Sequence, residues 1–151
     1  MYDVRDFIQK SSQTYGYPNF INDAGGSLCE LDEPDVIRQL AEDTLILYLK
    51  PSDALLNQII ERSLKAPKPM YYQEEFLDRV LPLYLEENSL DLSEQIDPAD
   101  FFRWMFPLLV EHRLPLYETI AKEYGVVVEA DRVDDIRDEH DFLELVAGGL
   151  G

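Results

Sequence analysis

Apolar side chains recur at intervals of three and four residues in five separate segments of this chain, the spacing that places them on one face of an α-helix. The only β-like run is Val126-Val127-Val128, which is too short to pair usefully unless a second strand or a partner meets it. The chain has 151 residues, of which 46% are apolar, and this suits one domain with a buried core. We therefore predict a mainly α fold in a single domain over residues 1–151, an irregular bundle of about six or seven helices with room for one short strand near 126–130.

Capping residues mark several of the expected helices. The clearest start is Asp97-Pro98, where a carboxylate that can cap the helix precedes proline at the first helical position. The residues that follow are apolar on all sides, which predicts a central helix. Ser52 suits the cap of another helix, and Pro34 suits the first turn of a helix that we expect to end near Lys50.

Prolines and glycines divide the rest of the chain. A short amphipathic helix over residues 2–13 is followed by a turn-rich loop over 14–26. Within the helical pattern of 71–87, Pro82 removes an amide donor, so we expect a kink or a break there. The remaining expected elements are a short helix over 116–124 closed by Gly125 and an acidic final helix over 136–146.

A Leu-x-Leu-Tyr tetrad occurs three times, at residues 45–48, 81–84 and 114–117. Intervals in the thirties are typical of paired-helix repeats. The surrounding positions agree poorly, however, and leucine and tyrosine are abundant throughout the chain. A degenerate helical-repeat scaffold therefore stays open beside an irregular bundle with one core.

The charge limits the classes of partner. With 31 Asp and Glu residues against 13 Lys and Arg, the formal net charge is -18. Nucleic acid and anionic membrane surfaces need clustered basic residues, so we expect neither as a direct partner. A basic protein partner, a cation or plain solubility remains. Adaptation to high salt is a further alternative, because Lys is scarce.

Cysteine usage and the N-terminus indicate the compartment. Cys29 is the only cysteine, which excludes an intramolecular disulfide and a zinc site built from several thiolates. The first residues carry acid where a signal peptide carries basic residues, and no apolar run approaches the length of a membrane span. We expect a cytoplasmic protein in a reducing environment.

Residues with chemical potential are few. His112, at the expected end of the aromatic helix, is interpreted as a C-terminal cap. His140 lies in an acidic segment in which Asp134 and Asp138 would share a helical face, but the segment lacks the calcium-loop pattern. Residues 25–29 match neither a nucleophile elbow nor a phosphate loop, and we expect a flexible loop with a half-buried cysteine. The sequence therefore predicts no catalytic residue, no metal ligand and no cofactor.

Recognition chemistry is better represented than catalysis. Residues 15–22 combine tyrosine, asparagine and glycine in an irregular segment, a composition favoured at binding surfaces, although the aromatics could equally fold back onto the core. Among the acidic residues, we select as candidates those in the loop or near the final helix, where we expect the side chains to be exposed. The predicted partner-binding residues are Tyr15, Tyr17, Asp23, Asp134, Asp135 and Asp138.

The leading hypothesis from the sequence is an acidic, non-enzymatic protein-binding module that engages a basic partner, as an inhibitor, immunity protein or antitoxin does. The alternatives are a metal-binding protein or enzyme that uses the carboxylates, and a helical-repeat scaffold. The oligomeric state is not predicted.

Overall fold

A computed structural model describes residues 3–31, 33–91 and 95–150. The protein is mainly α, 69% helical and a single domain, which confirms the predicted fold class. The α-helices are α1 (Val4–Tyr15), α2 (Pro34–Asp43), α3 (Asp53–Lys65), α4 (Glu74–Glu87), α5 (Pro98–Tyr124) and α6 (Glu139–Gly149), and the strands are β1 (Ile46–Lys50) and β2 (Gly125–Glu129). Single 3₁₀ helices also occur at Gly25–Glu30 and at Ala130–Asp135.

The two strands form a small parallel sheet. Their register runs from Ile46 opposite Gly125 to Lys50 opposite Glu129. A parallel pair needs a long crossover, which α3, α4 and α5 provide. A Cβ added to Gly125 would lie 2.2 Å from the Ile46 carbonyl oxygen, so the close approach of the two backbones requires glycine there. The strand predicted near 126–130 is confirmed, with its partner in β1.

The helix expected to reach Lys50 is shorter than predicted. It ends at Asp43, and Thr44 takes an extended backbone conformation before β1 begins. Residues 46–50 combine branched, aliphatic and aromatic side chains that suit either a strand or a buried helix. Pairing with a segment almost 80 residues later, at Ile46 opposite Gly125, decides in favour of the strand.

The central helix α5 is longer than predicted. Asp97 caps it as expected, since its Oδ1 accepts hydrogen bonds from the Ala99 and Asp100 amides. The helix then continues through Pro107 and Pro115 to Tyr124, so the separate short helix expected over 116–124 is wrong. Tertiary packing outweighs the missing amide donors at the two prolines. The same holds in α4, which runs unbroken past Pro82.

The first half of α5 packs against α4 in an aromatic core in which Met105 and Leu109 are almost fully buried. His112 lies in the middle of α5, where its ring meets Phe76 at a centroid distance of 5.1 Å. The predicted C-capping role of His112 is therefore wrong, because the helix continues for another three turns.

Two smaller clusters complete the interior. One joins α1, the 25–30 helix, α2 and the start of β1, and it includes Val4, Leu28 and Ile37. The other packs α6 on β2 through Leu145, Val126 and Val128. The second cluster holds α6 on the sheet, and the first holds α1 and the 25–30 helix against α2.

The three Leu-x-Leu-Tyr tetrads do not occupy equivalent positions. The first lies mostly in β1, whereas the second and third lie inside α4 and α5. A structural repeat requires the same supersecondary unit in each copy, so the tetrads are not the signature of a helical repeat. In the part of the chain that the structure describes, no helix combines the length and the apolar character needed to cross a membrane.

Candidate protein-binding surface

The exposed aromatic loop, which we define as residues 15–22, begins at the last residue of α1. Gly16 ends the helix in the left-handed conformation, with φ of 66°, a geometry that favours glycine. Tyr15 and Tyr17 flank this turn and stack on each other with ring centroids 5.8 Å apart. Their exposed fractions are 60% and 61%, so neither ring folds back onto the core. Two preorganised aromatic side chains therefore face solvent.

The rest of the loop is also solvent-facing and is tied to α6. Ile21 is 84% exposed and Phe20 is 37% exposed, large values for apolar side chains. The Asn19 side-chain amide donates a hydrogen bond of 3.1 Å to the carboxylate of Glu139, the first residue of α6. This contact joins the aromatic loop to the start of α6, which directly follows the acidic segment, residues 134–138.

The acidic segment has a different local structure from the one predicted. Asp134 and Asp135 lie in the 130–135 helix, whereas Asp138 caps α6 by accepting a 3.0 Å hydrogen bond from the Asp141 amide. Asp134 and Asp138 therefore do not share a helical face, and that expectation is wrong. All three predicted contact residues of this segment are exposed.

Asp23 stabilises the local backbone through a hydrogen bond. Its Oδ1 accepts a 2.8 Å hydrogen bond from the Gly25 amide, which supports the start of the 25–30 helix. That helix replaces the flexible loop expected over 25–29, because Leu28 and Glu30 are buried and anchor it. The Asn19–Glu139 hydrogen bond thus joins the loop that carries Tyr15 and Tyr17 to the helix that follows the 134–138 acids, and Asp23 comes directly after the loop in sequence.

A groove of about 440 Å³ lies beside the acidic segment. Of its lining residues, Asp134 alone is among the predicted partner-binding residues; the full lining is Leu49, Ala54, Leu55, Gln58, Ala130, Asp131, Val133 and Asp134. Asp131 accepts hydrogen bonds from the amide and the hydroxyl of Ser52, and these donors hold the pKa of its carboxyl below the usual range. Ser52 also caps α3 as predicted. These two hydrogen bonds hold Asp131, in the 130–135 helix, against Ser52 at the start of α3, so they connect two of the elements that line the groove.

Sequence reasoning also missed a buried ion pair. Arg113 donates to the Glu30 carboxylate at 2.6 Å, and the two residues are only 5% and 2% exposed. Arg113 also donates to the Tyr71 carbonyl, and the Gln73 side chain donates to the Glu30 carbonyl. The one signal in the sequence was an arginine within an otherwise apolar helical pattern. The pair ties the 25–30 helix to the middle of α5.

Cys29 lies next to this pair and beside Tyr117, whose hydroxyl donates to the Gly26 carbonyl. Tyr117 stacks on Tyr48 at a centroid distance of 5.4 Å. Burial raises the pKa of the Cys29 thiol and of both tyrosine hydroxyls. A thiol with a raised pKa is protonated at neutral pH and is a poor nucleophile, so this arrangement favours a structural role.

The carboxylates and the remaining histidine were also compared with the geometry of a metal site. Within residues 3–31, 33–91 and 95–150, no three His, Cys, Asp or Glu side chains are placed to hold a metal ion. His140 is exposed and lies 3.8 Å from Glu144 one turn along α6. Comparisons of the chain with protein-family models, with curated proteins and with solved structures found no match.

Proposed function

We propose that this protein is a non-enzymatic binding module whose acidic surface engages a basic protein, in the manner of an inhibitor, an immunity protein or an antitoxin. The observation that carries the proposal is the stacked, solvent-exposed pair Tyr15–Tyr17, in a loop bonded to the acidic start of α6. The proposed contact surface consists of the aromatic loop and the 134–138 acids.

The tyrosines supply the affinity in this proposal. Rigid aromatic side chains bury a large area at small cost in conformational entropy, and they dominate the binding energy at many protein interfaces. Stacking already restricts the Tyr15 and Tyr17 rings before a partner arrives. Exposure of Phe20 and Ile21 in the same loop extends the apolar area that a partner could cover.

The carboxylates supply the steering. A net charge of -18 produces a long-range field that attracts a basic protein and repels polyanions. Charges at the rim of an interface act mainly on the association rate, and they lose this effect as salt screens them. The side chains of Asp134 and Asp135 have no hydrogen-bond or ion-pair partner in the described residues, so their carboxylates are open to an incoming cation.

Affinity capture at low salt tests the proposal. The full chain is immobilised and incubated with lysate of the native organism, and the captured protein is identified and purified. We expect a basic protein whose affinity falls at least about tenfold in the variant Tyr15→Ser/Tyr17→Ser, because two aromatic anchors are lost. Tyr71→Ser is the matched control, since Tyr71 is also 60% exposed but lies outside the loop.

Two results would contradict the proposal. One is a captured partner that is acidic or neutral. The other is equal loss of affinity in the loop variant and in Tyr71→Ser, which would show that the Tyr15–Tyr17 pair has no specific part in binding. Circular dichroism of each variant confirms that the fold is retained.

A further inference from the structure

We infer that the groove between β1, α3 and the 130–135 helix receives an arginine side chain of the basic partner. The inference rests on the proposed function and names a specific subsite for it. The groove volume of about 440 Å³ falls within the range of ligand pockets, which is large enough for one side chain and its flanking backbone.

The lining matches the two parts of an arginine side chain. Leu49, Leu55 and Val133 present apolar surface suited to the aliphatic stem. Asp134 presents a carboxylate suited to the guanidinium, and Gln58 adds a side-chain amide oxygen as a second acceptor. Arginine suits this mixture better than lysine, because its planar head is more weakly hydrated and packs on apolar surface.

The residues with acceptor groups that line the groove differ in availability. Asp131 is already engaged by the amide and hydroxyl of Ser52, at 3.0 Å and 2.8 Å. The side chains of Asp134 and Gln58 have no hydrogen-bond partner among the residues that the structure describes. A guanidinium that enters the groove would therefore find the Asp131 carboxylate already hydrogen-bonded and the Asp134 carboxylate available.

The groove lies close in sequence to the residue that contacts the aromatic loop. Asp134 and Glu139 are five residues apart, so their Cα atoms are separated by at most about 18 Å of extended chain. Glu139 contacts the loop through Asn19. A standard interface covers about 800 Å² of each partner, a patch about 30 Å across, which spans this separation. One basic protein that places an arginine in the groove could therefore also reach the Asn19–Glu139 contact, which joins α6 to the aromatic loop.

Nuclear magnetic resonance of the ¹⁵N-labelled full chain tests the inference without the natural partner. The probe is N-acetyl-argininamide, and the control ligand is N-acetyl-citrullinamide, which has nearly the same shape without the charge. We expect saturable amide shifts confined to the groove, at Leu49, Ala54, Leu55, Val133 and Asp134. Asp134→Asn should weaken arginine binding about two- to fivefold, the worth of one partly exposed charge contact.

Asp78→Asn, an exposed aspartate on α4, is the matched control and should leave the affinity unchanged. Shifts spread over the whole acidic surface, no saturable binding, or an equal response of Asp134→Asn and Asp78→Asn would overturn the inference. Its failure is distinguishable from failure of the proposed function, because a captured partner that depends on Tyr15 and Tyr17 would remain.

Discussion

The buried Glu30–Arg113 pair allows a sharp test of what holds the fold together. Replacing Arg113 with methionine removes the cation and leaves the Glu30 carboxylate 2% exposed and without its counter-charge. The backbone contact from Gln73 reaches the Glu30 carbonyl and not its carboxylate, so it does not compensate. We therefore expect Arg113→Met to be strongly destabilising.

The magnitude follows from burial. Breaking a buried ion pair by removing one partner costs about 3–5 kcal/mol, whereas an exposed pair contributes about 0–1 kcal/mol. For a domain of this size, 3–5 kcal/mol lowers Tm by about 6–20 °C. The double variant Glu30→Leu/Arg113→Met removes both charges, and we expect it to recover most of that loss.

Urea unfolding monitored by fluorescence of Trp104, which packs against Tyr84 in the aromatic core, provides the assay. Arg137→Met is the matched control, because Arg137 pairs with Asp141 at 2.9 Å but its side chain is 84% exposed. A cost below about 1 kcal/mol for Arg113→Met, no larger than that of the control, would refute the reasoning from burial.

Three further predictions concern the sheet, the thiol and the charge. Gly125→Ala should destabilise the protein by about 1–3 kcal/mol in urea unfolding, since its Cβ would meet the Ile46 carbonyl at 2.2 Å, whereas Gly148→Ala, with open space around it, should cost nothing. Burial raises the pKa of Cys29, so the folded state holds its proton longer than the unfolded state, and stability should be constant below about pH 8.5 and fall above it. In Cys29→Ser the onset of this loss should move to about pH 10, where tyrosines ionise in the unfolded chain, and an unchanged pH profile would contradict the assignment. If the acid serves recognition and not adaptation to high salt, thermal unfolding should be cooperative at low ionic strength with modest stabilisation by salt, and a chain unfolded below about 0.15 M would favour the high-salt alternative.

Local signals in the sequence were sufficient for the elements that local chemistry decides. Asp97 and Ser52 cap their helices as predicted, because capping depends on side-chain and amide groups within three residues. The valines at 126–128 form a strand as their branching favours. The mainly helical character follows from the apolar spacing along each segment.

Elements decided by distant contacts were beyond local reasoning. Residues 46–50 become a strand only because Gly125 and the valines after it are available to pair. Likewise, α5 continues through Pro107 and Pro115 because packing on both sides offsets the lost amide donors. The Glu30–Arg113 pair spans 83 residues, and no spacing rule relates the two positions.

The candidate surface was only partly predictable, because exposure can be inferred from local sequence whereas the contacts between separate segments cannot. Exposure of Tyr15 and Tyr17 was one of two equal alternatives from the sequence, and the structure places both rings in solvent. The acids at 134–138 were correctly expected to be exposed, but the task of Asp138 as a cap depends on where α6 begins. The groove beside Asp134 was not predictable, because three separate elements form it.

The central claim is most directly tested by the association rate of the captured partner as a function of ionic strength. Stopped-flow measurements compare the native chain with Asp134→Lys/Asp135→Lys/Asp138→Asn, in which asparagine keeps the capping oxygen. The control Asp78→Lys/Glu86→Lys/Glu111→Gln makes the same change in net charge on α4 and α5. We predict a native rate that falls at least about tenfold as salt rises, and a surface variant that is slower than the control at low salt and equal to it at high salt. An association rate that does not change with salt, or that is lowered equally in the two charge variants, would contradict the account.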